Sequence, residues 1–114
     1  MSERKEITKI IERLELLEEK FGIAISGLYA TCEHRPNFSP PIYQIAINFD
    51  LASLSGGKLK RNFKVLASAY NSSGQLLGTT PTYIDAGDFM GFGSFSDILY
   101  LDQAPKKIRL SPAA

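Results

Sequence analysis

Tyr43, Ile45, Ile47 and Phe49 alternate with Gln44, Ala46 and Asn48, and the same period of two returns at Phe63, Val65, Ala67 and Ala69. A period of two puts one set of side chains on one face of an extended chain, so both stretches predict half-buried strands with a single apolar face. Everything after Gly22 follows this pattern: short apolar runs, each closed by Gly, Pro, Ser or Asn. About six strands are expected. The first spans 23–32 with Gly27 as a bulge, and 33–41 is a loop holding three prolines. Residues 53–58, with Gly56 and Gly57, read as a hairpin turn, and Asn71 to Gly74 as a second turn. Pro81 sends the strand over 76–84 to a sheet edge. Residues 87–93 form a glycine-rich loop, and strands over 96–101 and 107–110 complete the chain. Strands at this spacing with no helix between them predict an antiparallel β-sandwich, with a small open barrel as the alternative.

The opening residues have a different rhythm. Ile7, Ile10, Leu14, Leu17 and Phe21 follow a 3-4-3-4 spacing, the seam of an amphipathic helix. Ser2 is a suitable N-cap, and Lys20 followed by Gly22 is a suitable stop, so one helix is expected over 3–21. At 1.5 Å per residue it would be roughly 30 Å long. The chain thus divides into an amphipathic helix, 1–21, and a β domain, 22–114. The expected class is mainly β: an N-terminal α-helix followed by an immunoglobulin-like antiparallel β-sandwich. Arg4, Lys5, Lys9 and Arg13 lie early in the helix and Glu15, Glu18 and Glu19 late, a gradient that suits antiparallel pairing of two copies as a coiled coil. Ile11 widens the apolar stripe and suits a helix lying on its own domain equally well.

Composition narrows the function classes. A chain of 114 residues corresponds to one domain, and its net charge of +1 argues against a dedicated nucleic-acid binder. Cys32 is the single cysteine, so no intrachain disulfide can form. The N-terminal residues are charged and amphipathic rather than an apolar signal core, and no window approaches a membrane span. A cytoplasmic protein is the simplest expectation. Without a secretion signal, the acceptor patterns at Asn37 and Asn71 mean only turn-like composition.

Residues 63–79 carry a strand ending in Tyr70, a polar turn closed by Gly74 and a second strand. This stretch resembles the middle of small bacterial immunoglobulin-like sandwiches of the FxLYD type, and Tyr43 to Phe49 resembles their preceding strand. Asn71 stands where those domains more usually have Asp, and Ala69-Tyr70 replaces their Leu-Tyr pair. The resemblance implies a sandwich and a binding or structural module, with no catalytic residues to carry over.

Few clusters carry chemistry. Phe89, Met90, Phe92 and Phe95 among Gly87, Gly91 and Gly93 form a candidate contact loop. The bland alternative is that the rings plug one end of the core. Gly91-Phe92-Gly93 opens no helix and is not a dinucleotide fingerprint. Cys32 and His34 would share one face of a strand, but a metal site needs three or four such ligands. Asp85, Asp88, Asp97 and Asp102 follow no EF-hand pattern and read as turn chemistry. Lys58, Lys60, Arg61 and Lys64, with Lys106, Lys107 and Arg109, would make a basic stripe if their strands were neighbours. The expectation is a non-enzymatic interaction or assembly module without cofactors or metal, a homo-oligomer through the helix that presents the sandwich to an unidentified protein. The alternative is a small ligand-binding β domain using the 87–95 loop.

Overall fold

The computed structural model describes residues 4–114; Met1, Ser2 and Glu3, and with them the expected helix start, lie outside the described residues. The protein is mainly β. In chain order the strands are β1 (Arg4–Glu6), β2 (Ile11–Arg13), β3 (Ile23–Arg35), β4 (Ile42–Ser53), β5 (Phe63–Tyr70), β6 (Leu76–Ile84), β7 (Phe92–Leu101) and β8 (Lys107–Ala113), with one short helix, α1 (Glu15–Lys20). They form two four-stranded sheets, ordered β1-β3-β4-β7 and β2-β8-β5-β6. All neighbours are antiparallel except β2 and β8, which run parallel. No helix among the described residues is long and apolar enough to cross a membrane.

The alternating residues place the core. Ile45, Ile47, Phe49 and Leu51 of β4 point inward with Ile23 and Ile25 of β3, and they meet Val65, Ala67 and Ala69 of β5 and Ile108 and Leu110 of β8. Each fully buried Ile or Leu contributes about 1.5–3 kcal/mol before entropy is counted. Gly27 sits at the register shift between Ser26 and Tyr29 with φ of +60°, the backbone a bulge of this kind requires. The Asn71–Gly74 turn joins β5 and β6 as a hairpin. In it Asn71 Oδ1 accepts from the N–H groups of Ser73 and Gln75. β6, with Pro81, is an edge strand of its sheet, as β7 is of the other. Thr82 donates to Asp97 Oδ2 at 3.0 Å between these two edges, while Asp97 Oδ1 accepts from the Ile98 N–H at 2.8 Å.

Two expectations are corrected. Residues 53–58 are not a hairpin turn: β4 and β5 lie in different sheets, and 54–62 carries the chain across. The helix expected over 3–21 is confined to Glu15–Lys20, and the residues before it form β1, a single 3₁₀ turn over Thr8–Ile10, and β2. Ile7, Thr8, Ile10 and Ile11 are β-branched and lose rotamer freedom in a helix. Two open sheet edges offer them backbone partners instead. β1 pairs with β3, the Ile7 N–H donates to Ala30 O, and the Ala30 N–H donates to Thr8 Oγ1. The chain then passes to the other sheet, where β2 lies along β8. The five seam residues therefore share no helical stripe. Ile7, Ile10 and Phe21 pack against the core of their own chain, and Leu14 and Leu17 are half-buried. In α1 good helix formers hold one and a half turns, and Gly22 at φ +72° ends it as expected.

Glu18 locks this segment down. It is only 1% exposed. Its carboxylate takes two bonds from Arg13, 2.7 Å from Nη2 and 3.1 Å from Nε, and a third at 3.1 Å from the Ile25 N–H on the free edge of β3. Removing it leaves a half-buried guanidinium and a buried N–H without their acceptor. Glu18→Ala should lower stability by about 2–4 kcal/mol, read as a lower urea midpoint with an unchanged m-value.

Candidate functional site

Three loops converge at one end of the strands. Ile23 is paired with Ser53, Ala52 with Phe92 and Phe63 with Ile84, so the α1–β3, β4–β5 and β6–β7 connections all emerge together. Backbone bonds join them: Leu54 N–H to Gly22 O and Ser53 N–H to Gly91 O, both 2.9 Å. Asn62 Oδ1 accepts the Ala86 N–H at 2.9 Å. Gly91, at φ +100°, passes so close to Gly56 that a Cβ there would stand 3.0 Å from the Gly56 carbonyl oxygen. The 54–62 crossover is thus tied at Leu54 and Asn62 between the α1–β3 and β6–β7 connections; it lines one depression at this end, and residues 83–95 line another.

The depression on the β6–β7 side has a volume of ≈ 390 Å³ and is lined by residues from Tyr83 to Phe95. It divides the candidate contact loop. Phe89 is 5% exposed and belongs to the core; Phe95 is half-buried and stacks on Phe49 with ring centroids 5.6 Å apart. Gly93 lies beneath both rings, where a Cβ would stand 3.0 Å from Phe95 Cε2. Met90 and Phe92, by contrast, are 75% and 61% exposed, and Tyr83, 75% exposed, joins them from β6. Tyr83 was not among the residues expected here. Its signal was available, because Ile84 pointing inward on a strand obliges Tyr83 to point outward. Asp85 and Asp88 border the patch. Asp85 builds the turn: its Oδ1 accepts the Gly87 N–H, and its carbonyl accepts from Asp88 and Phe89. Asp88 has no ion pair among the described residues.

The depression on the other side is larger, ≈ 690 Å³, and differs in chemistry. Phe21, Leu59 and Phe63 give it an apolar floor, and Lys20, Lys58, Lys60 and Arg61 stand around it with Glu19 as its one acid. The Phe21 and Phe63 rings meet at 5.4 Å, and the Arg61 guanidinium lies 5.6 Å over Phe21. None of the four cations has an ion-pair partner among the described residues.

The remaining clusters fall apart. β5 and β8 are neighbours, but they are antiparallel, with Lys64 opposite Ala113 and Tyr70 opposite Lys107. The two basic runs therefore lie at opposite ends and make no stripe. Lys107 and Arg109 are both paired with Glu12, at 3.1 and 2.8 Å. Cys32 and His34 do share the core-facing side of β3, yet the His34 ring is stacked on Tyr43 at 4.5 Å and burial pushes the Cys32 thiol up. Glu33, on the opposite face, pairs with Arg4 and Arg35. Among the described residues no group of three His, Cys, Asp or Glu side chains is placed to hold a metal.

Two experiments check this geometry. Phe89→Ala should cost about 3 kcal/mol, whereas Met90→Ser and Phe92→Thr together should stay within about 1 kcal/mol, read from chemical denaturation. The hydrogen bond from Arg109, and then that from Lys107, holds the Glu12 carboxyl below its ordinary 4.5. A depressed folded value means that this contribution is present above 4.5 and disappears as pH falls through the folded value. Glu12→Gln should therefore flatten the acid limb of the stability profile without altering its neutral plateau shape. No protein-family model, curated protein or solved structure matches this chain, so the reading of its surface rests on this geometry.

Proposed function

We propose that this chain is a non-enzymatic protein-interaction module, an immunoglobulin-like β-sandwich whose looped end is the contact surface. One observation carries the proposal: Tyr83, Met90 and Phe92 stand out together on a base tied into both sheets, exposed by 75%, 75% and 61%. Clustered exposed side chains of this size mark protein contacts, and aromatic and methionine side chains are the types enriched in them. A rigid base limits the ordering cost of binding. The sandwich reading is supported by two sheets that share one core and by connections that repeatedly cross between them. Association through the opening segment is not retained in this proposal, because Ile7, Ile10 and Phe21 serve the core of their own chain. The small-ligand alternative is weaker: three side chains so exposed cannot enclose a small molecule as an apolar pocket does.

Binders selected from a random peptide display library test the surface. They should compete with one another and lose at least about tenfold in affinity when the target carries Met90→Ser and Phe92→Thr. Binders that spread over other faces, indifferent to both substitutions, would remove the proposal.

A further inference from the structure

We infer that the looped end pairs with the same end of a second copy, each basic groove receiving the acidic aromatic patch of the other. This rests on the interaction reading above and names its partner. The two depressions are complementary in charge and alike in apolar character. One offers Lys20, Lys58, Lys60 and Arg61 around Phe21, Leu59 and Phe63. The other offers Asp85 and Asp88 beside Met90 and Phe92. None of the four cations is neutralised within the described residues, nor is Asp88. An apolar floor ringed by unpaired cations fits an acidic segment bearing aromatic or methionine side chains, and the chain itself displays one.

Placement supplies the second argument. Both depressions lie at the looped end of the molecule, the groove lined by the 54–62 crossover itself and the patch by the β6–β7 connection bonded beside it. A two-fold axis passing across that end between groove and patch sets groove against patch and, in the same step, patch against groove. The contact is isologous and closes at two copies, whereas complementary patches at opposite ends would string copies into an open chain. The end face also bounds the strength. The molecule measures 45 × 27 × 21 Å, so a contact confined to its narrow end belongs with the smaller, weaker interfaces. Pairing of this kind is transient and salt-sensitive.

Charge exchange tests it on the full chain. Lys58→Glu with Lys60→Glu reverses the groove. Asp85→Asn with Asp88→Lys reverses the patch, and Asn at 85 retains the Oδ1 acceptor of the turn. Sedimentation equilibrium from about 10 µM to 1 mM at low salt should show wild type approaching twice the monomer mass and no more. Each double variant alone should weaken association at least about tenfold, and an equimolar mixture should restore it as a heterodimer. Unchanged circular dichroism and urea midpoints exclude misfolding as the cause. A wild type that stays monomeric throughout, a mass that climbs past two copies, or a mixture that fails to recover would each overturn the pairing. If binders selected from a peptide library still map to Met90 and Phe92 while the chain stays monomeric, self-pairing falls and the interaction reading survives.

Discussion

The Glu18 carboxylate holds together three pieces of chain with one buried group. Arg13 comes from the end of β2 in one sheet, Ile25 from the free edge of β3 in the other, and Glu18 itself from the short helix between them. A carboxylate taken out of water to 1% exposure survives only with several donors, and here it has three bonds. The ordering effect is what matters most. β1 covers β3 only from Thr31 to Glu33, and the edge below that is closed by Thr8, Ile7 and Glu18 in turn. The same segment then covers Ile108 to Leu110 on the second sheet. One anion thereby helps fix the path of residues that finish both sheets and bring Phe21 to the floor of the basic groove.

That path explains why chemistry is segregated at the looped end. Lys20 and Phe21 arrive there because α1 stops at Gly22, next to the start of β3. Phe63 arrives because β5 begins there, and Phe92 because β7 does. The 54–62 crossover, tied at Leu54 and Asn62, itself carries Lys58, Lys60 and Arg61, while Asp85 and Asp88 lie in the β6–β7 connection beside it. A surface held this firmly presents its side chains without a large loss of backbone freedom on contact, which supports the proposal that binding happens here.

Much of this was legible in the sequence where a pattern was local. The alternation from Tyr43 to Phe49, the Asn71–Gly74 turn, the edge position of Pro81 and the helix stop at Gly22 all depend on neighbours a few residues away. The opening segment was not legible, because two strands of three residues leave no measurable period and exist only where β3 and β8 offer them an edge. The 3-4-3-4 spacing of Ile7, Ile10, Leu14, Leu17 and Phe21 was real, but β-branched content at 7–11 opposed it and the tertiary edges decided the outcome. At the candidate site the loop was identified by its aromatic and glycine content. On β7 the period of two already puts Phe95 on the buried side with Leu99 and Leu101 and Phe92 on the exposed one; the inward turn of Phe89, which precedes the strand, follows from no such rule. The basic groove was half visible as a run at 58–61; Lys20, Phe21 and Phe63 join it only in space.

The parallel pairing of β2 with β8 sets a timetable for the chain. Glu12 finds Arg109 97 residues further on, so the second sheet is closed by a segment made early and a strand made late. At ordinary rates of synthesis this separation is about 5–20 s. Throughout that interval Ile10 and Ile11 have no β8 to lie against, and the contacts that need no late strand are those of Glu18 with Arg13 and Ile25, five residues before it and seven after, together with the pairing of β1 and Ile7 along β3. The buried carboxylate is then more than a fastening in the finished protein. Its partners, unlike those of Glu12, all lie within a dozen residues of chain, so the contact that fastens the opening segment is local while the one that closes the second sheet is not.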